Sequence, residues 1–321
     1  MRGRLLTILL LLPAVLATAL FVYFFIAWTG WASLTGWNQV ARMEGLFPDF
    51  PFVGLRNYRS LLATERFWPN DVLNTVVFTV CFEALCLSLG LLLAILLDRQ
   101  PRGEGLYRNV FLLPMSLSFV VTGTIWAWLM NPTTGVNVLL EPLGLNAVRR
   151  GLLGVRALAP LWAGLDALRI DVVRPGLTAD GRAALGAVVI AAAWQMSGFA
   201  MAMFLAGLRG ISEEIREAAR ADGASELQLY ARILVPMLRP VLVSVVVILG
   251  YVSLKIFDLV FIMTRGGPGD STDFPAIYLF DSAFKGNLWA RGASVAVVML
   301  LASAVVVLPY LRRQLRGGGE G

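Results

Sequence analysis

Three ionisable residues sit inside otherwise apolar runs of this chain: Glu83, Lys255 and Asp258. Placing such a group in lipid costs about 3 kcal/mol on insertion scales, so each is a suspect for ion pairing, proton relay or substrate contact. Lys255 and Asp258 are three apart, a helical spacing at which they can pair, either to fix helix packing or to meet a solute. Glu83 reads as a structural group hydrogen-bonded to neighbouring helices. The chain contains no histidine, which removes Ser-His-Asp and Cys-His catalysis, histidine zinc sites and histidine relays. Its two lysines, Lys255 and Lys285, fit no GxxxxGK(S/T) pattern, and the glycine-rich turn at 266–269 lacks both the lysine and the following helix that phosphate binding needs. ATP hydrolysis by this chain alone is therefore excluded, and any energy for work comes from a partner or an ion gradient. Cys81 and Cys86 lie five apart in one apolar run, facing different sides of a helix, and read as buried apolar residues. No catalytic residue, metal site or cofactor is expected.

The elements that hold these residues are membrane helices. Hydrophobic residues make up 58% of the chain and charged residues 15%, against about 25% charged in soluble domains. Six runs, at 5–28, 72–97, 109–130, 183–208, 241–264 and 292–311, approach the roughly 20 apolar residues that cross a bilayer. Backbone groups find no water in lipid, so these runs must be helical, and the fold class is all-α integral membrane with six transmembrane helices. The first run follows Arg2 and Arg4 but stays uncharged to residue 41, well beyond a signal core of about 7–15 residues, and reads as a retained anchor. Arginines at 2, 4, 99, 102, 108, 312, 313 and 316, with those of the 209–240 segment, fall on one side if the amino terminus is cytoplasmic. Both termini are then cytoplasmic. The net charge of +6 is a topology signal; no basic stripe with interleaved aromatics points to nucleic acid. Within the long segment 131–182, the apolar stretch 157–170 is too short to cross and reads as an interfacial or outer helix.

The segment 209–240 is a charged amphipathic insert between two spans. Ser212 is placed to N-cap a helix whose first turn carries Glu213 and Glu214, and Gly223 to end it. Ser225 and Gln228 form a capping-box pattern for a second helix, which Pro236 and Pro240 should stop. Ile211, Ile215 and Ala218 share one face, leaving Glu214, Arg216, Glu217 and Arg220 for water or a partner.

Glu217, Ala218 and Ala219, followed by Asp222, Gly223, Ile233 and Pro236, resemble the EAA motif of ABC importer permeases, with Val235 where Leu is commoner. FVGLRNY at 52–58, Asn74 with Thr75, and FDLVFIMTRGGPGDST at 257–272 extend the resemblance over nearly the whole chain to the carbohydrate branch, MalF-like permeases of binding-protein-dependent sugar transport. The resemblance implies a MetI-like/MalF-like core at 72–314, preceded by the first helix and outer loop at 1–71 and followed by a tail at 315–321. It implies that Glu217, Ala218, Ala219, Asp222 and Gly223 belong to a cytoplasmic coupling helix that docks on a separate ATPase. The implied partners are a second, MalG-like permease, two ABC ATPase subunits that bind ATP, a solute-binding protein, a sugar and membrane lipid, in the inner membrane. The residues around 253–280 look closest to permeases for glucose, mannose or related glucosides.

A sugar needs hydroxyl-binding groups beside aromatic faces. The fourth run offers Trp194, Gln195, Ser197 and Phe199, and the fifth offers Tyr251, Ser253, Lys255 and Asp258; in similar permeases these two helices line the path. The alternatives are a glycerol-phosphate importer with the same motifs, and a stand-alone ion-coupled carrier, against which no internal repeat is found. A membrane enzyme is the weakest alternative.

Overall fold

The computed structural model describes residues 2–38, 50–130, 179–267 and 269–317. Among these the secondary structure is helical, with one isolated antiparallel bridge between Thr35 and Phe52. The expected outer helix at 157–170 lies outside the described residues. In chain order the helices are α1 (Arg2–Thr18), α2 (Phe25–Ser33), α3 (Arg56–Leu62), α4 (Val72–Asp98), α5 (Glu104–Leu112), α6 (Phe119–Leu129) and α7 (Ala179–Arg209). They continue as α8 (Glu213–Ala221), α9 (Glu226–Gln228), α10 (Val235–Met237), α11 (Arg239–Leu254), α12 (Asp258–Met263), α13 (Pro275–Phe280) and α14 (Trp289–Gly317). Wider π-helical turns join α1 to α2 at Ala19–Phe24 and α9 to α10 at Leu229–Leu234.

Four helical runs are long and apolar enough to cross a membrane, Leu10–Ser33, Arg66–Asp98, Ala184–Arg209 and Trp289–Arg312, and there are six if each of two bent pairs is one span. A bend near Leu117 and a break after Leu254 correct the expectation of unbroken helices at 109–130 and 241–264. Between Glu104–Ser116 and Phe119–Leu129 the axis turns by 98°. Leu117 is extended there (ψ 147°), after a 3₁₀ turn containing Pro114, and Ser118 restarts the helix by accepting the amide of Val121. A 64° bend at Leu238 sets the insert off from the fifth run, whose helix ends at Leu254 and resumes only at Asp258. Ser253 donates its hydroxyl to the carbonyl of Gly250, engaging the last turn locally just before the helix ends.

The chain divides into two compact units. In the unit formed by Met1–Trp68 and Pro275–Ala302, Asn57 is a buried clasp: its Nδ2 donates to the carbonyls of Ser33 and Thr35, each at 2.8 Å, and its Oδ1 accepts from Asn38. Tyr58, one residue on, shares a 2.6 Å hydrogen bond with Ser33. An otherwise irregular segment thus has its carbonyls satisfied.

In the unit formed by Pro69–Phe274 and Ser303–Gly321, α4 packs along α7. Lipid is as apolar as the side chains, so what holds such helices together is close van der Waals fit between small residues. Ala191, Ala192, Ala193 and Ala200 are buried, and Gly90 lies so near α7 that a Cβ there would stand 2.6 Å from the Ala200 Cβ. Cys86 is buried in the same seam, its thiol directed at the Ala193 carbonyl at 4.0 Å, and Cys81 is also buried and free. Gly198 meets the carbonyl of Phe111, and Gly123 lets α6 approach Ile262 of α12.

Candidate functional site

The insert folds as helix, bend, helix. Acids Glu213 and Glu214 open α8 and Arg220 closes it, matching the helix dipole. Its end is a Schellman arrangement: Gly223 is left-handed (φ +83°), its amide donates to Arg220, and the Ala224 amide donates to Ala219, both at 3.0 Å. The expected capping box opens α9, with Gln228 N donating to Ser225 Oγ and Ser225 N to Gln228 Oε1. Two expectations are corrected. Ser212 makes no side-chain cap; the position is exposed, so the first-turn amides need no protein acceptor. Pro236 does not itself stop the second helix, which carries it in its last turn, but the helix does end at Met237, and Pro240 opens the next one after the bend at Leu238.

The inward face of α8 also differs from the apolar face expected. Ile211 and Ile215 are half-buried and Ala218 is exposed, while Arg216 and Ala219 are buried. Arg216 Nη1 donates to Asp98 Oδ2 at 2.8 Å, and Nη2 donates to the Leu208 carbonyl at 2.8 Å and to Asp98 Oδ1 at 3.4 Å. Tyr230 donates its hydroxyl to the same Asp98 Oδ2 at 2.7 Å, and the Arg99 guanidinium lies 5.6 Å from the Tyr230 ring centre. Burial works to lower the Arg216 pKa, but hydrogen bonding and attraction from Asp98 outweigh it and hold the group above its ordinary value. Burial, then the bond to Asp98, raises the Tyr230 phenol. Asp98 and Tyr230 were not among the candidates read from sequence, and Arg216, expected to face water or a partner, is buried instead. The available signal was Asp98 itself, an acid closing an apolar run, which in a buried setting needs a cation. On the outer face, Glu214, Glu217, Ala218, Asp222 and Gly223 are exposed, and Arg220 bridges Glu213 and Glu226, each at 3.2 Å.

The polar candidates on the fourth and fifth runs are split. Gln195 is buried, and its Nε2 donates to the carbonyl of Leu117, the extended residue at the sharp bend, at 2.8 Å. Ser253 is buried and accepts from Thr79 of α4 at 2.8 Å. Ser197 and Phe199 are half-buried, whereas Trp194, Tyr251, Lys255 and Asp258 are exposed, Trp194 meeting Trp126 edge to face. Lys255 and Asp258 do not pair: the helix ends between them, and the Lys255 ammonium stands 4.1 Å from the centre of the Tyr251 ring instead. Glu83 is half-buried against Gly250, where a Cβ would come within 2.9 Å of its Oε1. Among the described residues it makes none of the hydrogen bonds to neighbouring helices that its sequence context suggested. An open apolar groove of about 350 Å³ between Phe21, Phe25, Val297 and Leu300 contains none of these candidates.

Residues 87–316 match the family model described as "Binding-protein-dependent transport system inner membrane component". A probable ABC transporter permease protein of Pyrococcus horikoshii is 39% identical over 97% of this chain and 96% of its own length. The xylose/arabinose import permease protein of Haloferax volcanii is 37% identical over 89% of this chain and 83% of its own. A crystal structure of a bacterial ABC transporter involved in alginate import superposes with a TM-score of 0.73 at 19% identity, covering 98% of this chain and 96% of that one. The helical runs, the insert and these matches agree: this chain is a multi-pass permease component, not an enzyme, and belongs to the family of binding-protein-dependent transport system inner membrane components.

Proposed function

We propose that the chain is the MalF-like permease subunit of an ATP-driven sugar importer, receiving glucose, mannose or a related glucoside from a solute-binding protein. A second permease subunit completes the channel, two ATPase subunits supply the energy, and both termini are cytoplasmic. The observation that carries the reading is α8. Its buried side is fixed to the spans by Arg216 while Glu217 and Ala218 face outward, and its end is cut sharply at Gly223, leaving a short acidic helix free to enter a cleft on an ATPase. A sugar cargo is supported by the similarity to the xylose/arabinose import permease, and the exposed Trp194 and Tyr251 supply aromatic faces for a pyranose. The test is reconstitution of the chain with its partner permease, ATPases and binding protein in liposomes. Uptake of labelled glucose or mannose should require ATP, binding protein and the ATPases together. Uptake by this chain alone would replace the reading with an ion-coupled carrier, and ATP-driven uptake of glycerol phosphate in place of sugar would move it to that importer class.

A further inference from the structure

Four separate chain segments meet in one cluster around the Arg216 guanidinium and the Asp98 carboxylate. Asp98 ends α4, Arg216 comes from α8, Tyr230 from the π-helical turn that follows, and the Leu208 carbonyl from the end of α7. The three side-chain-bearing residues are nearly closed to solvent, with Asp98 9%, Arg216 7% and Tyr230 5% exposed. We propose that Asp98 is a positioning residue for energy coupling: through Arg216 and Tyr230 it ties α8 to α4 and α7, so that a displacement of the insert is delivered to both spans. The proposal rests on the reading of α8 as the ATPase-docking helix.

A buried ion pair is a weak source of stability, since apolar residues of similar volume replace it with little loss; what it supplies is direction. The planar guanidinium fork engages both Asp98 oxygens and the Leu208 carbonyl at once, fixing α8 in rotation as well as position, which a point charge does not do. Ala219, the other buried residue of α8, offers only van der Waals contact. The remaining ion pairs of α8, from Arg216 and Arg220 to Glu213 and Glu226, stay within the insert. Among the described residues, the Asp98 cluster is therefore the hydrogen-bonded route from α8 to the spans. Coupling is carried by contiguous hydrogen-bonded and packed elements, and this cluster joins the insert to two spans in that way.

The experiment compares sugar moved per ATP hydrolysed in the full reconstituted importer carrying the wild-type chain, the double variant D98L/R216M, and Y230F. The double variant removes both charges together, so no charge is left buried alone. It should copurify with the ATPases and hydrolyse ATP, with the transport ratio falling about threefold or more. Y230F, which keeps the ion pair, should fall less. A wild-type ratio in an assembled D98L/R216M importer overturns the proposal. If the double variant does not assemble, Y230F decides, and a wild-type ratio there overturns it as well. Absence of ATP-driven uptake with the wild-type chain would instead remove the permease reading beneath it.

Discussion

The side-chain amide of Asn74 donates to the backbone carbonyl of Asp273 at 3.0 Å, closing a contact across 199 residues of sequence. The same nitrogen reaches the Asp270 carbonyl at 3.2 Å, and Asn70, one turn earlier, donates there at 2.8 Å. Two of the motifs that carried the family resemblance, Asn74-Thr75 and the glycine-rich turn after α12, are thus one object in space. Asn74→Ala withdraws the donor from a buried carbonyl and should cost about 1–3 kcal/mol, read as a lower unfolding temperature in detergent. An unchanged midpoint would mean that this clasp is dispensable.

Two glycines should respond to the same added methyl group for different reasons and in different readouts. Gly90→Ala drives a Cβ into Ala200 and the backbone of Met201, at 2.6 and 2.9 Å, in a seam with no flexible side chain to yield. About 1–3 kcal/mol of overpacking and a lower yield of folded protein are expected. Gly223→Ala meets nothing within 4 Å and costs only its left-handed backbone, roughly 1–2 kcal/mol. That change should leave the spans intact while lowering copurification of the ATPases. Equal yields for the two variants would contradict the packing described for α4 and α7.

Asp281 sets an acid limit on the unit that holds it. Its burial favours the neutral form, but Arg66 at 2.6 Å and Lys285 at 2.7 Å outweigh that and lower its pKa below the ordinary carboxylate value. A depressed pKa contributes stability that is present above the unfolded value of about 3.9 and is lost as pH falls through the folded one. The unfolding midpoint of the wild type should therefore drop on acidification below about pH 4 more steeply than that of Asp281→Asn. Parallel curves would show that the pairing contributes nothing.

Lys255 and Asp258 show what the sequence could and could not convey. The i, i+3 spacing was legible, but pairing assumed an unbroken helix, and the chain leaves helical geometry at Lys255 (φ −112°). Both residues are exposed, so Lys255→Ala should preserve folding yield and lower sugar uptake, whereas a charge-pair role predicts the reverse. Local patterns were read well where the determinants are local, as in the Ser225 capping box and the Gly223 end of α8. The inward turn of Arg216 was hidden because its partner Asp98 is 118 residues away in sequence. The bend at Leu117 was hidden for a similar reason, since Gln195, which donates to its carbonyl, lies 78 residues on.

Orientation is open to a direct chemical test. Leu227 is 78% exposed in the insert and Asp270 is exposed beyond α12, whereas Thr272 is buried against Thr264 and Gly267 and is unsuited to labelling. In a background with Cys81 and Cys86 replaced by alanine, an impermeant thiol reagent should reach Leu227→Cys only from the cytoplasmic side and Asp270→Cys only from outside. The opposite pattern would invert the topology.

The two arginines of α8 differ in what surrounds them, and the difference makes the insert respond unevenly to dissolved salt. Arg220 holds Glu213 and Glu226 in the open, where mobile ions weaken attraction over about 8 Å at physiological ionic strength. Arg216 holds Asp98 where those ions do not enter. Raising salt therefore loosens the outer rim of the insert, where α8 meets α9, while its root keeps its grip.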